Sequence, residues 1–244
     1  MKKFLKSDKK VLILSRKLDI KLLVLKTIIL KRIFPSREIF QTKNLKDGKL
    51  DIDEYARVQT AGNKRKIDYL FETEKNVKML SDYLLKNLDE IKFGLCHGTR
   101  RGKEQEWFNK YLNAKVLGTE ISDTATNFLN TIQWDFHNVK DEWVGNVDFI
   151  YSNAIDHSYD AKYCLKQWFS CLRKDGICIV NGTTNNTPWS TTKLDLFGYT
   201  KEGLKSLIEE LADECGVKIE KTFEGKHLAN KGFSEWFYFM IRKI

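Results

Sequence analysis

The chain has only two prolines in 244 residues, Pro35 and Pro188, so no proline-rich spacer divides it. Its five cysteines, at 96, 164, 171, 178 and 215, are odd in number and show no C-x-x-C spacing. That pattern argues against a disulfide framework and against a zinc site, and no metal is expected. Reduced thiols and a cytoplasmic location are the expectation instead. No uninterrupted run of 18 apolar residues occurs. The stretch "VLILSRKLDIKLLVLKTIILKRIF" is broken by Arg16, Lys17, Asp19, Lys21 and Lys26, which speaks against a membrane-spanning helix. The basic opening "MKKFLKSDKK" is not followed by the clean apolar run and cleavage site of an export signal. Neither G-x-G-x-x-G nor G-x-x-x-x-G-K-[ST] is present, so neither common nucleotide fingerprint applies.

What is present is a soluble composition with an uneven charge. Hydrophobic residues make up 42% and charged ones 31%, with a net charge of +9. Residues 1–50 hold 15 Lys and Arg against four Asp and Glu, whereas the remainder is slightly acidic. The basic character therefore belongs to an N-terminal extension, taken as residues 1–64, which is placed to cover an active site. Contact of residues 1–50 with a polyanion or an anionic membrane is one reading; a solvated basic arm is the other.

Residues 11–15 read as a short strand and 20–34 as a helix ending before Pro35. Residues 42–64 are polar and glycine-punctuated, and 65–89 show helical spacing. From Ile91 strands and helices alternate: "IKFGLC", "KEQEWFNKYL", "AKVLGTE", "TATNFLN", "TIQWD", "VDFIYS", "AKYCLKQWFSCL", a turn at "RKDG", "ICIVNG" and the helix "KEGLKSLIEELADECG". "VKIEKTFEG" and "SEWFYFMIRKI" close the chain as two strands. Alternation of this kind predicts a three-layer α/β sandwich with a mostly parallel sheet.

The first strand leads into "HGTRRG", where Gly98 and Gly102 permit a tight turn and close approach of a ligand to backbone. Glu120 ends the second strand, where a carboxylate can accept two hydrogen bonds from a ribose diol. Asp135 ends the third, placed to accept from an adenine amino group with Phe136 beside the ring. Each acid alone also reads as a helix cap.

With these motifs the chain resembles the class I S-adenosylmethionine-dependent methyltransferases, over roughly residues 90–244. "GLCHGTRRG" looks like the family's first cofactor motif, "VLGTEIS" like its second, "IQWDFHNV" like its adenine-binding stretch and "VDFIYSNAIDHS" like its fourth-strand motif. The resemblance implies a Rossmann-like, seven-stranded, mostly parallel sheet with an antiparallel C-terminal strand, as a domain over residues 65–244. It also implies S-adenosyl-L-methionine as cofactor, held by Gly98, Thr99, Arg100, Gly102, Glu120, Ile121, Asp135, Phe136, Ser152 and Asn153. Two departures stand out. Cys96 occupies a position where the family often has an acid, and Arg100 stands for its central glycine. Arg100 or Arg101 is placed to meet the cofactor's carboxylate or a substrate anion.

On the acceptor side, Asp156 and His157 follow the fourth strand and are the catalytic candidates, histidine being able to take a proton near neutral pH. Tyr55, Arg57, Gln59 and Lys64 form a candidate lid, and "NGTTNNTPWS" a candidate acceptor wall with Trp189 as its flat face. The Asn/Asp-Pro-Pro-aromatic signature of nucleic-acid N-methyltransferases is replaced by "SNAI", which speaks against adenine-amino methylation and leaves RNA, sugar, lipid and small-metabolite acceptors open; methyl transfer to an oxygen or nitrogen of a small-molecule or glycosylated acceptor is the expectation. The alternatives are an NAD-dependent oxidoreductase and a non-catalytic nucleic-acid or membrane-surface binder with a relic cofactor fold.

Overall fold

The computed structural model describes residues 21–229 and 232–244, with 226–229 and 232–234 described by backbone alone. The strand expected at residues 11–15 lies outside the described residues. Seven strands form one sheet in the order β10-β11-β8-β7-β4-β5-β6. These are β4 (Phe93–His97), β5 (Lys115–Glu120), β6 (Thr131–Gln133), β7 (Val147–Ser152), β8 (Leu172–Thr183), β10 (Val217–Ala229) and β11 (Gly232–Lys243). The ladders from β8 through β6 are parallel, while β11 runs antiparallel to both β8 and β10.

Side-chain alternation explains why both faces of this sheet are covered. Leu95, Ile150, Cys178, Val180, Phe237 and Phe239 point to one face, where they pack with Leu165 and Trp168 of α5 (Ala161–Cys171) and Leu204 and Ile208 of α6 (Lys201–Glu210). Their neighbours Cys96, Phe149, Tyr151, Ile177, Ile179, Tyr238 and Met240 point to the other. There they meet Leu80 and Leu84 of α3 (Glu74–Asn87) and Phe108 of α4 (Lys103–Leu112). A sheet buried on both sides needs strands apolar at nearly every position, as "DFIYS" and "ICIVN" are.

Two buried carboxylates tie the layers together. Asp148 Oδ2 accepts the amide hydrogens of Lys92 (2.7 Å) and Phe93 (2.8 Å) at the start of β4, and Oδ1 pairs with Arg173. Glu72, 4% exposed, accepts from the hydroxyls of Tyr151 and Tyr238 at 2.7 Å each, from Asn76 Nδ2 at 2.9 Å and from Thr73 N at 2.8 Å. The second network locks the start of α3 onto β7 and β11.

Three parts depart from the sequence reading. Residues 42–64, read only as polar and glycine-punctuated, carry regular structure: β2 (Leu45–Lys46) and β3 (Lys49–Leu50) form a hairpin through Asp47 and Gly48, both at positive φ. The 14-residue helix α2 (Ile52–Arg65) follows, capped by Asp51 on Glu54 N. Its buried face, Tyr55, Gln59, Gly62 and Asn63, has helical spacing but is mostly polar, so hydrophobicity does not reveal it. "RKDG" does not end α5 as a free turn but lies within β8, with Asp175 at φ 63°. The short strand β9 (Phe197–Tyr199), not foreseen, pairs with β1 (Ile39–Gln41) and ties the N-terminal segment to the body. Helix α1, described over residues 21–33, precedes β1, and Lys26 Nζ donates to the Thr191 carbonyl at 2.8 Å.

Leu95 is fully enclosed at the centre of the sheet, whereas Leu129 is 91% exposed. Leu95→Ala is expected to cost about 3 kcal/mol in chemical denaturation, and Leu129→Ala about 0.5 kcal/mol or less.

Candidate functional site

The chain leaves β4 toward β5 and β6 on one side, then crosses back to β7 on the other, so the strand order reverses beside β4. A crevice opens at the carboxyl ends of strands at such a point. Here it is a cavity of about 530 Å³ lined by residues that follow β4, β5, β6, β7 and β8, with α1 and α2 over it. Of the sequence-predicted residues, Gly98, Arg100, Glu120, Ile121, Asp135, Phe136, Asn153, Asp156 and His157 line it together.

The turn after β4 alternates in backbone hand: Gly98 at φ 72°, Arg100 at φ 46° and Gly102 at φ 73°. Arg100 thus adopts the left-handed conformation that a glycine would take most readily, at a steric cost. What this achieves is visible at Glu120. The Arg100 amide donates to Oε2 at 2.9 Å and the Ser122 amide to Oε1 at 3.1 Å. Each oxygen keeps a further acceptor site for a ligand hydroxyl. The Arg100 guanidinium lies 4.8 Å from the Phe71 ring centroid and donates to the Tyr69 carbonyl at 3.2 Å. Burial lowers its pKa, opposed by Glu120, Glu104 and Asp156. Arg101 does not line the cavity.

Gly98 presses against the fourth-strand loop: a Cβ there would lie 2.5 Å from Ala154 Cβ. Thr99, Gly102 and Ser152 do not reach the cavity. Thr99 is buried over Gly118, and Gly102 is the N-cap of α4, where a Cβ would lie 2.7 Å from Gln105 Nε2. Ser152 Oγ donates to the His97 carbonyl at 3.1 Å and accepts from Ala154 N at 3.1 Å, which shapes the loop from below.

Asp135 Oδ1 accepts from His137 N at 3.0 Å and is 2.7 Å from His137 Nδ1; His137 Nε2 is 2.8 Å from Ser158 Oγ. The order resembles a hydrolytic Ser-His-Asp row, but Ser158 is fully buried and its Oγ also accepts from Asp160 N. The row fixes Asp135, with His137 stacked on Tyr159 at 3.6 Å between centroids. The Phe136 carbonyl is pinned by Trp168 Nε1 at 2.9 Å.

His157 Nδ1 is 2.9 Å from the Leu194 carbonyl. A carbonyl only accepts, so Nδ1 carries the hydrogen, and in the neutral ring Nε2 keeps its lone pair. Asp195 Oδ1 lies 3.5 Å from the same nitrogen, and Asp156 Oδ2 accepts from Asn186 Nδ2 at 2.7 Å. Burial raises the Asp156 pKa; His157 opposes that rise and the nearby Asp195 carboxylate adds to it. One donor atom from each of Asp156, His157 and Asp195 falls within 4.8 Å of the others, a set with the chemistry to hold a divalent cation or to take up a proton.

Several cavity residues were not foreseen. Asn63, Lys66 and Phe71 line it, as do Leu194 and Asp195. Asn63 Nδ2 is enclosed without a hydrogen-bond partner while its Oδ1 accepts from Thr124 Oγ1 at 3.0 Å. The spacing 55, 59, 63, 66 was the available signal, one face of a polar helix. Of the expected lid, Tyr55 and Gln59 do line the cavity, but Arg57 pairs with Glu54 and Lys64 with Asp123 at the surface. The 181–190 stretch contributes Asn181, Thr183, Asn186 and Ser190, yet Trp189 is not its wall. Its indole donates to the Phe34 carbonyl at 3.0 Å, beneath α1.

No family model matches the chain, and no curated protein matches it. Solved structures do. The Burkholderia thailandensis 1,6-didemethyltoxoflavin-N1-methyltransferase, with 1,6-didemethyltoxoflavin and S-adenosylhomocysteine bound, superposes with TM-score 0.60 at 12% identity, over 85% of this chain and 96% of that one. The geranyl diphosphate C-methyltransferase of Streptomyces coelicolor A3(2), in complex with Mg²⁺, geranyl diphosphate and S-adenosyl-L-homocysteine, gives TM-score 0.55 at 9% identity, over 78% and 98%. The [4+2]-cyclase SpnF gives TM-score 0.50 at 12% identity, over 68% and 80%. The chain has the class I S-adenosylmethionine-dependent methyltransferase fold, with the sheet and antiparallel strand that the sequence resemblance implies. Identities this low show the fold alone.

Under the glycine turn His97 is 2% exposed, stacks on Trp168 and shares a hydrogen bond with Thr119 Oγ1 at 2.9 Å. Burial, helped by His137, pushes its pKa down to about 3. Below about pH 6.5 the unfolded chain therefore takes a proton that the folded chain refuses, and this contribution to stability is lost as pH falls toward 3. Relative to His97→Gln, the wild type is expected to lose about 1.4 kcal/mol per pH unit between pH 6 and 4. Paired urea titrations check this; parallel pH profiles would contradict it.

Proposed function

We propose that the chain is an S-adenosylmethionine-dependent methyltransferase acting on an oxygen or nitrogen of a small-molecule or glycosylated acceptor. The observation that carries the reading is the Glu120 carboxylate, fixed by two backbone amides at the end of β5 with acceptor capacity still facing the cavity. The residues present fit the cofactor. Glu120 would bind the ribose diol, Asp135 the adenine amino group with Phe136 beside the ring, and the enclosed Asn63 Nδ2 supplies an unused donor nearby. When bound, S-adenosylmethionine supplies a methyl group already activated by its sulfonium, so the protein's task is mainly alignment.

His157, with Nε2 free, would accept the proton that an O–H or N–H acceptor loses, and Asp156 and Asp195 would hold the acceptor beside it. The volume of about 530 Å³ and the cover from α1, α2 and the 181–198 loop favour a compact acceptor group over a polymer. The same proposal places the basic N-terminal segment on an anionic membrane surface. Its charge supports this, as do Leu22, Leu25, Ile29 and Ile33 exposed on one side of α1 with Lys21 and Arg32. Sedimentation with phosphatidylserine vesicles checks it: binding at low salt that is lost at high salt is expected, and salt-independent absence of binding would refute it.

Calorimetry with S-adenosylmethionine, S-adenosylhomocysteine and NAD tests the main reading. Both sulfur nucleosides are expected to bind, and Glu120→Ala to weaken them about tenfold or more. Binding of NAD alone would replace the reading with an oxidoreductase; binding of none would leave a non-catalytic binder. In turnover assays over amines, phenols and glycosides, His157→Gln is expected to lower the rate about a hundredfold while leaving S-adenosylhomocysteine affinity unchanged.

A further inference from the structure

Arg100 has a strained backbone, and its hydrogen bonds leave most of its side chain unused. At φ 46° it holds a left-handed conformation at a steric cost that a glycine would avoid. The bond to Glu120 uses only its backbone amide, which a glycine would supply equally well. The side chain lines the cavity, and burial lowers the guanidinium pKa. Its one protein hydrogen bond among the described residues runs from Nη1 to the Tyr69 carbonyl at 3.2 Å. A guanidinium has five N–H donors, so most of them remain unused.

Lys66, the C-cap of α2, lines the same cavity. Phe71 joins the two cations: its ring centroid is 4.8 Å from the Arg100 guanidinium and 5.9 Å from Lys66 Nζ. The ring is 65% exposed while lining the cavity, so both cations stand at the rim. Neither has a carboxylate within 4 Å among the described residues. The nearby surface cations do, Lys64 with Asp123 at 2.8 Å and Arg57 with Glu54 at 2.7 Å. Two like charges on one ring repel each other, and a partly buried cation without a counter-ion is costly. An anion between them removes both penalties.

We propose that Lys66 and Arg100, held by the Phe71 ring, form an anion-binding rim that selects an acceptor carrying a phosphate or carboxylate group. This rests on the methyltransferase reading above and narrows its acceptor to an anionic one. A guanidinium presents paired donors to such an oxyanion, and an ammonium adds a point charge.

Both cations are close enough to Asp156 to act on it, which puts them beside the cluster with His157 and Asp195. Asp156 does not pair with either, and its Oδ2 accepts from Asn186 Nδ2 instead. An anion fixed at the rim therefore leaves the rest of the acceptor next to His157. Binding energy from a group remote from the reacting atom is what aligns that atom. The competing occupant is the cofactor's own carboxylate, which the experiment separates.

Calorimetry at constant ionic strength uses protein saturated with S-adenosylhomocysteine, so that the cofactor's carboxylate is already in place. Inorganic phosphate, acetate and glucose are the probes. The wild type is expected to bind an anion and not glucose; phosphate bound more tightly than acetate assigns a phosphorylated acceptor, and the reverse a carboxylated one. Lys66→Gln and Arg100→Gly are each expected to weaken the preferred anion about tenfold. Arg100→Gly keeps the amide that serves Glu120. Lys64→Gln, at the paired surface lysine, should bind the anion as the wild type does, and Lys66→Gln should keep the wild-type affinity for S-adenosylhomocysteine, which also shows that it is folded. No anion binding by the wild type, undiminished binding by Lys66→Gln, an equal loss in Lys64→Gln, or glucose bound as tightly as the anions would overturn the rim while leaving the cofactor reading intact. A tenfold loss of S-adenosylhomocysteine affinity in Lys66→Gln, with 5′-methylthioadenosine unaffected, would also overturn it, by giving the cation to the cofactor's carboxylate. A wild type that does not bind S-adenosylhomocysteine would overturn both.

Discussion

The reversal of strand order beside β4 is the constraint on which the site depends, because the segments that leave the carboxyl ends of the neighbouring strands β4 and β7 lead to opposite sides of the sheet. The gap between them must be bridged without filling it. Gly98 does so by lying so close to Ala154 that no side chain fits. The turn that follows is forced into alternating backbone hands, and Arg100 accepts a left-handed conformation within it. The return for that strain is an amide aimed at Glu120, which orients the carboxylate before any ligand arrives.

Charge is divided along the cavity in a way that matches this geometry. Carboxylates held by hydrogen bonds, Glu120 and Asp135, stand at the ends of β5 and β6. Arg100 and Lys66 bring positive charge to the lining, close enough to Asp156 to act on it, and Asp156, His157 and Asp195 form one cluster beside them. Two buried glutamates behind the wall differ sharply in their partners. Glu72 is fully bonded and reads as structure, whereas Glu104 retains an unused oxygen.

The cover over the cavity is where this chain differs most from a bare α/β sandwich. Helices α1 and α2 and the β1–β9 pair are supplied largely by residues before the first sheet strand. They bond the 181–198 segment through Lys26, Gln59 and Trp189, so the roof and that wall of the cavity are one unit. Structures that share the fold include an N-methyltransferase, a C-methyltransferase and a [4+2]-cyclase. Chemistry on this fold is set by what surrounds the crevice, not by the sheet.

The sheet was legible because its strands are buried on both sides: "VDFIYS" and "ICIVNG" announce themselves by unbroken hydrophobicity, and Glu120 and Asp135 by standing at strand ends. Helix α2 was not, since its buried face is Tyr55, Gln59, Gly62 and Asn63, a pattern set by contact with a polar cavity and not by hydrophobic burial. Trp189 could be placed near the acceptor by its neighbours in sequence, but which way its indole turned depended on the Phe34 carbonyl 155 residues away. The discrepancy at Cys96 shows the division most clearly. Local sequence determined that the strand carries no acid there. Only tertiary packing, which lays the first turn of α4 against that strand, brought the Glu104 carboxylate close enough to act on the Cys96 thiol. Strand ends and turns are set by residues adjacent in the chain; the partner of a buried charge is set by whichever element the hydrophobic layers bring against it.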